Sequence, residues 1–173
     1  MYEDIAEYIR DVKDFPKPGI VFKDITPALA DGKCLQSIIE AFYDIYKSRH
    51  IDKIAVIESR GFLLGAPLAC RLGCGLALLR KPGKLPAEKI KESYDLEYGS
   101  AALEIHTDTI KKGEKVLIID DLLATGGTAE AAAHLVKRLG GEIEAFAFMI
   151  ELEFCQGRSR LSSYGEVEAL LKY

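Results

Sequence analysis

Apolar residues along this chain follow a helical period in some stretches and run unbroken in others. Ile5, Tyr8, Ile9 and Val12 fall at helical spacing and are followed by Phe15-Pro16 and Pro18-Gly19, which predicts an amphipathic helix over 2–12 ending in a turn. Ile20-Val21-Phe22 reads as a short extended piece, and 35–49 as a second helix with Ile38, Ile39, Phe42, Ile45 and Tyr46 facing inward. A strand over 53–57, a helix over 62–72 and a strand over 76–79 come next. Val116 to Ile119 is an unbroken aliphatic strand, Thr128 to Leu139 an Ala- and Leu-rich helix, and Glu142 to Glu151 a strand apolar on both faces. Strands alternating with helices predict βαβ units, hence an α/β protein with a central, mostly parallel sheet flanked by helices. Phe154 to Tyr173 is expected to form a short helix and a tail over the sheet. Lys81 to Gly99, rich in proline, glycine and charge, has no clear period and is expected to be a loop, which at that length is functional or disordered.

A length of 173 residues predicts one domain, and 49% hydrophobic content is ample for its core. Lys plus Arg number 23 against 27 acids, so no basic excess is available to hold a nucleic acid. The acidic N-terminus lacks a basic region followed by an apolar run, and no apolar stretch is long enough to span a membrane, so a soluble cytoplasmic protein is expected. Cys34, Cys70, Cys74 and Cys155 include no C-x-x-C pair and are expected to be reduced, mostly buried thiols. His50, His106 and His134 are scattered, with no metal-ligand spacing among them.

The densest chemistry lies where the strand 116–119 runs into Asp120-Asp121-Leu122-Leu123-Ala124-Thr125-Gly126-Gly127-Thr128. Two carboxylates at the carboxyl end of a central parallel strand face the crevice where open α/β sheets bind ligands. Carboxylate oxygens accept hydrogen bonds from sugar hydroxyls, while Gly126-Gly127 lets a phosphate approach the free N–H groups of the helix that follows. Together they read as a site for a phosphorylated ribose. The NTPase phosphate loop is absent, since Gly32-Lys33 continues with Cys34 and Gly83-Lys84 with Leu85. The dinucleotide fingerprint also fails, since Gly73-Cys74-Gly75 lacks its third glycine. The plainer alternative is an acidic first turn of a helix, which accounts for one acid and not for two followed by Thr-Gly-Gly-Thr.

This segment resembles the phosphoribosyl-pyrophosphate (PRPP) motif of type I phosphoribosyltransferases, and its extended form is similar to that of the family's adenine-using branch. Phe15 to Pro27, Glu58-Ser59-Arg60-Gly61-Phe62, Arg80 to Pro86 and Ser93 to Gly99 agree in the same order, so the likeness spans nearly the whole chain. The resemblance implies the type I fold over 1–173 with a mobile catalytic loop near 81–99. It also implies transfer of a ribosyl phosphate from PRPP to adenine, giving AMP and pyrophosphate in purine salvage. A transferase for another purine base, or a PRPP-binding regulator, are the alternatives; the acidic balance and the lack of DNA-binding helices weigh against the regulator.

By the same resemblance Ala124, Thr125, Gly126, Gly127 and Thr128 hold the 5'-phosphate, and Asp120 and Asp121 the ribose hydroxyls. Ser59, Arg60, Gly61, Arg80 and Lys81 hold the pyrophosphate. Adenine stacks between Phe22 and Leu122 and pairs with the backbone of Val21, with Lys23 standing where many relatives have Arg. Glu97 is the general acid or base on the loop. Mg2+ arrives with the pyrophosphate, so no dedicated protein ligands are expected. A homodimer is implied, and Phe62 to Leu68 is apolar enough for an interface or for the core. As bare letters, Phe22 reads first as a core aromatic, and Arg80-Lys81 and Glu97 as solvated surface.

Overall fold

Along the chain run α1 (Glu3–Ala6), β1 (Arg10–Lys13), β2 (Val21–Asp24), α2 (Thr26–Ala30), α3 (Gly32–Tyr46), β3 (Lys53–Ile57), α4 (Arg60–Leu72), β4 (Gly75–Leu79), β5 (Lys89–Asp95), β6 (Ser100–His106), β7 (Lys115–Leu123), α5 (Gly127–Arg138), β8 (Glu142–Glu151), a 3-10 turn (Glu153–Cys155), α6 (Gly157–Leu161) and β9 (Glu166–Lys172). The structure is a computed structural model and describes residues 3–95 and 100–173.

Five strands form one parallel sheet in the order β4-β3-β7-β8-β9. From β3 the chain crosses to β4 on one side, whereas from β7 it proceeds to β8 and β9 on the other. The crossover direction therefore reverses between β3 and β7, and a crevice opens beyond their carboxyl ends. Their side chains alternate between two apolar clusters. Ile54, Val56, Leu117, Ile119, Ala145 and Ala147 join α3 and α4 on one face. Ala55, Ile57, Val116, Ile118, Phe146 and Phe148 join α5 and β6 on the other. The unbroken aliphatic runs are thus explained by burial on both faces. α4 sits very close to the sheet because Gly65 has no side chain: a Cβ there would lie 2.1 Å from Val56 Cγ1 and 2.9 Å from Ile119 Cγ2.

Three segments differ from the sequence reading. The 2–12 helix stops at Ala6, and Arg10–Lys13 is a strand, because Arg10 to Lys13 pair antiparallel with Val21 to Asp24 and Val12 stands opposite Phe22. The 81–99 loop contains β5, which forms an antiparallel hairpin with β6. There Ile90 and Tyr94 pack on the core while Lys89, Lys91 and Ser93 are exposed, a period of two hidden by the charges between. Finally, 166–172 is not a tail over the sheet but its edge strand, paired in parallel with β8. Of the four thiols only Cys34 is buried; Cys70 is exposed, and Cys74 and Cys155 are half-buried.

The β1–β2 ribbon is held by Asp24, which accepts from Arg10 Nη2 at 2.6 Å and from the Thr26 N–H at 2.9 Å. The Thr26 N–H and the Arg10 guanidinium lower its carboxyl to about 2 from an ordinary 3.8. A depressed carboxylate contributes stability above its unfolded value and loses it as pH falls through the folded one. Asp24→Asn is expected to lower the melting temperature at neutral pH by about 3 °C, the equivalent of roughly 1 kcal/mol. The difference from wild type should shrink as pH falls toward about 2, where half of the Asp24 carboxyls are protonated, and close below it. Thermal melts across pH test this, and a gap that persists in acid would refute it.

Candidate functional site

β7 carries Asp120 and Asp121 to the crevice, and α4 brings Arg60 and Gly61 across from the end of β3. Gly61 permits the approach: a Cβ there would lie 2.8 Å from the Ile119 carbonyl and 3.1 Å from Asp120 Oδ1. Asp121 is buried and ion-paired, its Oδ2 2.9 Å from Arg60 Nε, and its backbone N–H donates to Asp120 Oδ1 at 2.9 Å. Burial, and then the charge of Asp121, push the Asp120 carboxyl well above the usual carboxylate range. Burial raises Asp121 as well, against the opposing pull of Arg60. These are acceptors poorly served by water, suited to hydroxyl donors on a ligand.

Next to the acids the chain turns through Gly126, whose φ of 83° and position at the N-cap of α5 suit glycine. Arg60, the acid pair, Leu122 and 124–128 all line one cavity of about 240 Å3, with Phe148 at its wall. The sequence reading missed Gly157. At the start of α6 it presses on this turn from behind, and a Cβ there would lie 2.1 Å from the Ala124 carbonyl oxygen and 2.9 Å from Gly126 N. Only a long-range contact reveals it; the local letters Gln156-Gly157-Arg158 give no hint.

Arg80 and Lys81 are organised by Glu58. Arg80 Nε donates to Glu58 Oε2 at 3.2 Å, the Lys81 N–H donates to the same oxygen at 2.9 Å, and Lys84 Nζ lies 3.8 Å from Oε1. Burial raises the Glu58 carboxyl, but the Lys81 N–H, the Arg80 guanidinium and the Lys84 charge together outweigh it and hold the group below its ordinary value. The peptide bond from Glu58 to Ser59 is cis. Lys81 also faces Lys91, Ser93 and Tyr94 of the hairpin across a cavity of about 440 Å3. Glu97 lies outside the described residues.

Phe22 is half-buried, and the core-aromatic alternative does not describe it: it belongs to neither apolar cluster. Its ring lies 5.4 Å from the Arg60 guanidinium and 5.3 Å, edge to face, from Phe15. Arg60 thus touches both the acid pair and the aromatic of β2. By strand alternation Val21 and Lys23 face the other way, into a cavity of about 910 Å3 that meets the smaller one at Ala124 and Thr125. There Lys23 pairs with Asp11 at 2.7 Å and lies 3.9 Å from the centre of the Tyr173 ring. Leu122 is half-buried against the core.

Among the described residues no three His, Cys, Asp or Glu side chains are grouped so as to hold a metal ion. A phosphoribosyl transferase domain model matches residues 28–168. An adenine phosphoribosyltransferase of Geotalea daltonii is 53% identical over 171 residues, 99% of each chain. The crystal structure of adenine phosphoribosyltransferase from Thermoanaerobacter pseudethanolicus superposes with a TM-score of 0.96 at 50% identity, covering both chains in full. That from Saccharomyces cerevisiae, complexed with an imino-altritol bisphosphate and adenine, gives 0.92 at 39% identity over 97% of each chain.

Proposed function

Because this chain belongs to the phosphoribosyl transferase family, and within it to the adenine phosphoribosyltransferases, we propose that the 240 Å3 cavity at Asp120–Thr128 holds the ribose 5-phosphate part of PRPP. The enzyme joins adenine to PRPP, giving AMP and pyrophosphate, a step of purine salvage. The observation that carries the assignment of roles is the adjacency of a carboxylate pair, Asp121 buried and Asp120 half-buried, and a glycine turn at the amino end of α5. The turn's N–H groups take the 5'-phosphate, where the helix dipole favours negative charge. Asp120 and Asp121 accept from the ribose hydroxyls. Their charge also favours the oxocarbenium-like sugar formed as the bond from C1' to pyrophosphate breaks.

Arg60, with Ser59 and Gly61, faces the departing pyrophosphate, and Arg80 and Lys81, held by Glu58, stand ready to counter its charge. Adenine lies against Phe22 and Leu122, with its amino edge on the Val21 backbone. The aromatic contact of Arg60 with Phe22 places that ring beside the sugar site. Lys23 contributes from the far face of β2, through Asp11 and Tyr173. The acid pair is only partly neutralised by Arg60, so the cavity suits a donor that brings its own Mg2+ on the pyrophosphate. When bound with the donor, such an ion would supply charge neutralisation of the leaving group, beside that supplied by Arg80 and Lys81.

Glu97 serves as general acid or base toward adenine. Glu97→Gln is expected to lower kcat by about 100-fold with little change in PRPP affinity. Equal losses in kcat and affinity would assign it a binding or structural role instead. The chain works in the cytoplasm as a homodimer. In 62–68, Leu64 and Leu68 are core residues, while Leu63, 52% exposed, is left for a partner subunit. Among the described residues no helix is long and apolar enough to cross a membrane. Incubation with PRPP, magnesium and each base in turn tests the assignment: AMP from adenine alone, lost on chelation, is the expected result. Nucleotide formed from hypoxanthine or guanine would show that Val21 and Phe22 do not set base choice.

A further inference from the structure

β5 leads directly into 96–99, the stretch that holds Glu97, so whatever fixes β5 fixes the point from which that residue is reached. Ile90 and Tyr94 pack against the apolar cluster that includes α5, and Glu92 lies between them in sequence on the same face of the strand. Its carboxylate is 2.9 Å from His134 Nδ1 and 3.0 Å from Arg138 Nη1, both on α5. Arg138 Nη1 also donates to the Lys91 carbonyl at 2.8 Å. The other imidazole nitrogen, His134 Nε2, is 2.8 Å from the hydroxyl of Tyr164, which precedes β9. Lys137 Nζ stands 5.0 Å from the centre of the Tyr164 ring. One side chain therefore links the hairpin, α5 and the segment after α6.

The hydrogen-bond chemistry is determined. An ionised carboxylate only accepts, so Nδ1 carries a proton, and in the neutral ring Nε2 accepts from the Tyr164 O–H. A protonated ring would donate at both nitrogens, with the Tyr164 oxygen then accepting, so the link survives either state. Few other side chains offer a donor and an acceptor on opposite sides. His134 stands about two turns, or roughly 10 Å, along α5 from the glycine turn assigned to the 5'-phosphate. The helix thus spans the distance between the substrate's anchored end and the root of the hairpin.

We propose that His134 is a positioning residue for the transfer: by fastening Glu92 of β5 and Tyr164 to α5, it sets where the chain departs toward Glu97 relative to the bound phosphate. The proposal rests on Glu97 being the acid or base. Steady-state kinetics and melting temperatures of His134→Ala and His134→Gln, each alone and combined with Glu97→Gln, test it. His134→Ala is expected to lower kcat about tenfold, since small misplacements of reacting groups are costly, and to change the PRPP KM by no more than about twofold. His134→Gln should restore most of kcat, because the amide can donate to Glu92 and accept from Tyr164. In the Glu97→Gln background His134→Ala should cost nothing further. Additive losses in that background, or an unchanged kcat with a lowered melting temperature, would overturn the role of His134 and leave that of Glu97 intact. Full activity of Glu97→Gln by itself would overturn the underlying assignment as well.

Discussion

Replacing Asp120 and Asp121 together by Asn is expected to abolish most PRPP turnover while leaving the fold at least as stable at neutral pH. The functional loss has two sources. Hydrogen bonds from ribose hydroxyls contribute about 2 kcal/mol each to charged acceptors and about 1 kcal/mol to neutral ones, so weakening two of them costs on the order of 30-fold in kcat/KM. The neutral pair also offers less support to the developing positive charge on the sugar. The stability change has the opposite sign. Both carboxyls are raised by burial, Asp120 further by the charge of Asp121, so the folded state holds their protons more tightly than the unfolded one does. Their ionisation therefore opposes folding as pH rises from the ordinary carboxylate range, about 4, through the raised values. Asn removes that penalty, and Arg60, the partner it leaves behind, is 39% exposed and able to turn to water. Melts across pH should show wild type losing ground to the double variant on the alkaline side of about pH 4. Retained AMP synthesis would refute the assigned roles. A large fall in melting temperature would show instead that the acids hold the crevice together.

Much of this site is local in sequence, which is why it was legible. Strand, acids, glycine turn and helix follow one another without interruption from Val116 to Leu139, and each step is dictated by a short-range preference. That β3, β4, β7 and β8 belong to a mostly parallel sheet followed from the alternation of strands with helices, whereas their order in it did not. The errors came where a distant partner overrides a local period. Val12 is at helical spacing from Ile5 and Ile9, yet pairing with Phe22 draws it into a strand. Val167, Leu170 and Leu171 carry no clean alternation, and only the free edge of β8 makes them a strand. β5 alternates well, but Glu92 occupies an inward position, and its partners His134 and Arg138 are more than forty residues away. Inward charges of that kind look like solvated surface until the fold supplies their counter-groups. Lys23 is similar: Asp11 and Tyr173, which occupy it, lie on β1 and at the end of the chain.

The second large effect concerns a residue of that non-local kind. Gly157→Ala is expected to weaken PRPP binding by on the order of 1,000-fold, from the loss of about two charge-assisted N–H contacts to the phosphate. Its added Cβ would lie 2.1 Å from the Ala124 carbonyl oxygen, 2.9 Å from Gly126 N and 2.9 Å from Leu123 Cδ1. The first two are backbone atoms of the phosphate turn, which cannot swing aside as a flexible side chain could. Gly126 cannot easily adjust either, since it is already in the left-handed region, and its own Cβ position lies 2.8 Å from the Gly157 carbonyl oxygen. Either the turn moves, misdirecting the N–H groups at the start of α5, or α6 moves. Arg158 resists the second course, because its guanidinium is bound to Glu151 of β8, with Nε 2.9 Å from Oε1, and also donates to the Val167 carbonyl of β9. The strain therefore falls on the turn, with overpacking costing about 1–3 kcal/mol of stability. Kinetics separate this from general damage: the KM for PRPP should rise steeply while the adenine site, built on β2 and Leu122, keeps its affinity. Parallel losses toward both substrates, in step with the fall in melting temperature, would mean that Gly157 merely packs the edge of the sheet.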